Sequence, residues 1–116
     1  MPAESSPARL TSEMLVGVLR RRIAAEGGFA TILAKGDAIS GVILIQAVEK
    51  GQEMGLFERV SNFSGGYALL RCGPPPEDGA EAMAQYLARR RKSDPDLWVI
   101  ELDIPNAERF AAETIC

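Results

Sequence analysis

Apolar residues recur at Met14, Leu15, Val18, Leu19 and Ile23, at spacings of three and four. That period predicts an amphipathic helix over 12–26 with one buried face. Thr11 or Ser12 supplies a capping oxygen, Glu13 suits the first turn, and Gly27-Gly28 ends the helix. The pattern then shortens. Phe29 to Ala34 reads as a strand, and Lys35-Gly36-Asp37 as a turn. Gly41 to Val48 is almost continuously aliphatic, which suits a central strand covered on both sides. Looser alternation marks a third strand over 54–60, and Tyr67 to Cys72 a fourth. The short links between these strands predict an antiparallel meander.

After Gly73-Pro74-Pro75-Pro76, the apolar positions Ala80, Met83, Ala84 and Leu87 predict a second helix over 78–92. Ser93-Asp94-Pro95 stops it, because the residue before a proline disfavours helix. Asp96 to Leu102 reads as a fifth strand. Pro105 fits the first position of a last short helix anchored by Phe110 and Ile115. The order is α-β-β-β-β-α-β-α. The predicted fold is α+β: a mostly antiparallel sheet of four or five strands, with the two main helices on one face. Residues 1–10, polar and proline-bearing, read as a flexible tail, and 11–116 as a single domain.

Composition narrows the chemistry. The 116 residues are 47% apolar and 25% charged, an ordinary globular balance. There is no histidine, which removes the usual proton shuttle and the commonest metal ligand. No Ser-His-Asp arrangement and no ordinary zinc site can be built. The two acids of Asp94-Pro95-Asp96 fall short of the six to eight oxygens calcium takes. Gly36-Asp37 lacks the spacing of a phosphate loop. The expectation is therefore no metal, no cofactor and no catalytic residue. Two cysteines, Cys72 and the terminal Cys116, suit a reducing compartment, although a bridge between them stays open. No secretory signal and no membrane-length apolar run is evident, so the expected location is cytoplasmic.

What remains is charge. The net charge is −3, which repels nucleic acid and anionic lipid on average. Yet Arg20-Arg21-Arg22 and Arg89-Arg90-Arg91-Lys92 each close a predicted helix. The bland explanation is that cations near a helix C-terminus interact well with its dipole. The functional one is a binding surface. Parallel helices on one face would gather seven cations at one end, with Arg20, Arg21, Arg89, Arg90 and Lys92 free for an anion or an acidic partner. Arg22 and Arg91 fall along the apolar stripes, so each must snorkel or find a carboxylate. For Arg91 the expected partner is Asp94 or Asp96. Trp98, the single tryptophan, is either a core anchor or an interface anchor.

Asp94-Pro95-Asp96-Leu97-Trp98-Val99-Ile100-Glu101 resembles the most recognisable motif of a bacterial family known as domain of unknown function 1491. Leu19-Arg20-Arg21, Gly36-Asp37 with Ser40-Gly41-Val42, and Tyr86-Leu87 fit the same pattern in order. The resemblance spans roughly residues 12–103, with a poor match from Glu49 to Ser64 and no aromatic residue in the first helix. It implies a small intracellular α+β protein and no particular activity.

The reading favours a non-enzymatic accessory or protein-interaction module. A sheet face only partly covered by the short last helix suggests a homodimer or another protein partner. The alternatives are an RNA- or ribosome-associated module using the arginines, and a small acyltransferase-like enzyme that binds through backbone groups.

Overall fold

Thr11 Oγ1 accepts a hydrogen bond from the Met14 N–H (3.2 Å) and caps α1, Ser12–Ala25. Residues 10–116 are described by this computed structural model; the expected tail over 1–10 lies, except for Leu10, outside the described residues. Gly27, at φ +88°, turns the chain out of α1, and Gly28 N–H closes on Ile23 O. The strands are β1 (Phe29–Ala34), β2 (Ile43–Glu49), β3 (Gln52–Ser61), β4 (Tyr67–Cys72) and β5 (Trp98–Asp103). A 3₁₀ turn, Pro76–Asp78, leads into α2, Gly79–Ser93. The last helix, α3, is Ala107–Ile115. It starts two residues after Pro105, behind Asn106 in the left-handed region.

The α+β class, the element order and the mostly antiparallel sheet match the sequence reading. The strand neighbours do not form one meander. The five-stranded order is β1-β5-β2-β3-β4, so only β2, β3 and β4 follow one another in space. β5 enters between β1 and β2, antiparallel to β1 and parallel to β2. The long excursion through β3, β4 and α2 supplies the crossover that parallel pairing needs.

The expected placement of both main helices on one face is corrected by the packing. Ile43, Ile45 and Ala47 of β2 meet Leu15, Val16, Leu19 and Ile23 of α1, together with Ala107, Ala111 and Ile115 of α3. Leu44, one residue out of phase, packs with Met83 of α2, Leu56, Leu97 and Val99. Side chains alternate across a strand, so α1 and α3 cover one face and α2 the other. This is why β2 has no polar side: every residue from Ile43 to Val48 is buried.

The reason for expecting a homodimer changes with it. The part of the α2 face that α2 leaves open is mixed: Thr31, Glu53, Glu101 and Asp103 stand there with the exposed Phe29 and Leu70.

Candidate functional site

The residues of the recognisable motif build a clasp. Trp98 is 1% exposed. Its indole N–H donates to Asp37 O at 2.7 Å, and Asp37 N–H donates to Asp96 O at 3.0 Å. A Cβ added at Gly36 or Gly41 would lie 2.7 or 2.9 Å from Trp98 Cδ1 and would strike the Asp96 carbonyl. The Asp37 carboxylate accepts from Ser40 N–H (2.9 Å) and Ile39 N–H (3.1 Å). These two donors hold its pKa below the usual range. Ser12 Oγ donates to Gly41 O, tying α1 to the same corner. Asp94 takes part as an acceptor for Asp96 N–H. Chemistry-bearing residues are brought together here to fix three chain segments.

Among the described residues the arginines separate into those that form ion pairs and those that form none. Arg22 donates to Glu26 and Glu113, both at 3.1 Å, and lies over the Phe110 ring, fastening α1 to α3. Arg90 donates to Tyr86 Oη (2.8 Å) and to Glu58 (3.1 Å), fastening α2 to β3. The expected pair of Arg91 with Asp94 or Asp96 is not among the ion pairs of the described residues. The inward stripe of α2 keeps the expected Met83 and Leu87 but takes in Tyr86 in place of Ala84 and Arg90 in place of Arg91. Arg91 is consequently exposed, as are Arg89 and Lys92.

The two basic clusters do not meet. The C-terminus of α1 leads through Gly28, packed on Ile104, to the last residues of β5. The C-terminus of α2 leads through Asp94 into the first residues of β5. The clusters therefore lie at opposite ends of the sheet as well as on opposite faces, and the seven-cation patch does not form.

Arg20 and Arg21 stand apart. Both are exposed, and no ion pair of the described residues includes either. They line an open groove of about 490 Å³ between α1 and β1, with Gly17, Ala24, Gly28, Phe29 and Ala30. Gly17 lacks a side chain that would fill it, and Arg21 Nη1 lies 3.5 Å from where a Cβ would stand. Phe29 is 75% exposed. Among the described residues β1 pairs on one side only, so the groove runs beside a sheet edge. The sequence named the two arginines but not Phe29. The available signal was alternation: Ala30 and Ile32 share the covered face, leaving Phe29 and Thr31 on the other.

A second, smaller hollow of about 230 Å³ lies between Ala47, Met54 and the start of α3. Arg71 borders it, stacked 4.9 Å from the Phe57 ring. The polar cluster on the α2 face is of another kind. Gln46, 7% exposed, donates to Glu53 Oε2, while Glu53 Oε1 is buried without a partner. Burial, opposed by the Gln46 hydrogen bond and helped by the Glu101 charge, raises the Glu53 pKa. Cys72 and Cys116 are both unbridged, and burial raises both thiol pKa values. Among the described residues no three His, Cys, Asp or Glu side chains converge as metal ligands. No helix of the described residues is long and apolar enough to cross a membrane.

These features define a small α+β domain whose recognisable motif holds the fold together and whose unpaired chemistry lies in a surface groove. The chain belongs to the DUF1491 family, described as proteins of unknown function, whose sequence model matches residues 10–112. It is similar to a DUF1491 family protein from Caulobacter crescentus CB15, solved by crystallography: 28% identity, TM-score 0.76, covering 88% of this chain and 94% of that one. An NMR structure of a DUF1491 family protein from the same organism gives 27% identity and TM-score 0.71, over 89% of this chain and 94% of that one. The solution structure of protein Atu0922 from A. tumefaciens gives 28% identity and TM-score 0.66, over 85% and 89%. No curated protein matches the chain.

Proposed function

We propose that this protein is a non-enzymatic accessory module of the cytoplasm that binds another protein through the groove between α1 and β1. One observation carries the reading. Arg22 and Arg90 are engaged within the molecule, whereas Arg20 and Arg21 face solvent along an open groove. The helix dipole accounts for cations near the end of α1, but not for a groove open beneath them. A local basic site on a chain of net charge −3 selects an acidic surface. Two thiols without a bridge suit a reducing compartment.

RNA is the second reading, because exposed guanidinium groups along a groove also suit phosphates. It is the weaker one. The arginines at the end of α2 lie at the other end and face, so a strand of phosphates would meet only one short cluster. The test is capture from native lysate by the wild-type protein and by the Arg20→Glu, Arg21→Glu double variant. The expected result is a protein retained by the first and lost by the second. An identical set of captured proteins from both would overturn the reading.

A further inference from the structure

The partner's chemistry follows from the edge the groove runs beside. Natural sheets protect their edges with charges, prolines or short strands. β1 is six residues long, Phe-Ala-Thr-Ile-Leu-Ala, roughly 20 Å of strand with no charge and no proline. Its one irregularity is a register shift between Ile32 and Ala34, leaving Phe29 to Ile32 in regular pairing with β5. The opposite edge, β4, carries Arg71 within the strand.

We infer that β1 is extended by a strand from an acidic, extended segment of a partner protein, whose residues alternate between acidic and apolar. This rests on the protein-binding reading of the groove and specifies its ligand. Backbone groups of β1 on the side away from β5 supply the ladder, the mode in which a peptide adds to a sheet edge. The alternation comes from the two faces. On the α1 face, an added strand lies next to Ala30 and Ile32 and beneath Arg20 and Arg21, which attract carboxylates. On the other face, its side chains meet Phe29 and Thr31. Behind these stand Glu101 and Asp103 of β5, so a carboxylate there is repelled and an apolar side chain packs on the Phe29 ring. A second copy of this chain is a poorer occupant, because its own β1 brings no carboxylate to Arg20 and Arg21.

The probe is a synthetic peptide of about eight residues alternating glutamate and valine, long enough to span β1. Titration into isotope-labelled protein is expected to shift the amides of residues 29–34 and to slow their hydrogen exchange. Three controls are each expected to weaken binding about tenfold or more, the scale of a lost charge-assisted hydrogen bond. One is a peptide of the same composition in scrambled order. The second is the same peptide N-methylated at alternate amides, which cannot form the ladder. The third is the Arg20→Glu, Arg21→Glu protein. Because N-methylation alters the peptide alone, its effect cannot come from misfolding of the protein.

Equal binding of the N-methylated and scrambled peptides, with loss in the double variant, overturns strand addition and leaves the groove reading intact. Full binding to the double variant overturns both. Failure of the parent peptide to bind overturns the inference. So does protection of residues 29–34 by self-association without peptide, or tighter binding of a single-stranded RNA oligonucleotide in the groove.

Discussion

Gly36 and Gly41 owe their identity to lack of space. Each presses on Trp98 Cδ1 and on the Asp96 carbonyl, which cannot retreat without breaking its bond from Asp37 N–H. Gly36→Ala and Gly41→Ala are each expected to cost about 2–3 kcal/mol, at the upper end of overpacking penalties, read as a lower urea midpoint with unchanged m-value. Gly51, with nothing near its missing Cβ but a φ of +81°, is limited by conformation instead. Glu53 gives a residue-scale prediction of the opposite sign. Its carboxyl is held above the ordinary range chiefly by burial, with one oxygen unpartnered. The folded chain therefore keeps this proton at a pH where the unfolded chain has lost it. The group's contribution to stability declines as pH rises from the ordinary glutamate range to the raised native value. Glu53→Gln, which retains an acceptor for Gln46, is expected to stabilise the protein near pH 7 and to lose that advantage near about pH 4. Urea titrations at the two pH values check this; an advantage independent of pH would contradict the assignment.

Among the elements, α2 is the one whose role differs most from its sequence pattern. Its stripe predicts a buried side but cannot say which sheet face receives it, because both faces of β2 are buried. The continuous burial of β2 was legible, and it already implied cover on two sides. The strands themselves were legible from apolar runs and breakers to within a few residues. Their neighbours were not, since pairing is decided by which aliphatic faces meet, and residues 44–48 pair with an antiparallel strand on one side and a parallel one on the other. The inward arginine was missed by one position, because Tyr86 rather than Ala84 lies in the stripe. Arg90→Ala removes the bonds to Tyr86 Oη and Glu58 and leaves that carboxylate half-buried. It is expected to cost about 1–2 kcal/mol, whereas Arg91→Ala changes stability by less than about 0.5 kcal/mol. Thermal denaturation of the two variants side by side separates them.

The order β1-β5-β2-β3-β4 sets how the whole molecule assembles. β5 is the last strand of the described residues and lies second in the sheet, where among those residues it is β1's only partner and completes the pairing of β2. It also contributes Trp98, Ile100 and Leu102 to the core under α1 and α3, and Val99 to the core under α2. Both cores are thus left open until this segment arrives. Parallel pairing of residues 43–48 with 98–103 closes a long loop, and the entropy of that closure is met only when the contacts form. A fragment ending at Ser93 contains both main helices and four of the five strands, yet it lacks the strand that joins β1 to the rest. It is expected to show helical content in far-ultraviolet dichroism but no cooperative thermal transition. Addition of a peptide spanning residues 94–116 is expected to restore a transition, because that peptide carries β5, α3 and the Asp96 and Trp98 half of the clasp. A cooperative transition in the fragment alone would mean that β2, β3, β4 and α2 form an independent folding unit, and β5 would then be a late addition to a finished sheet rather than the strand on which the fold depends.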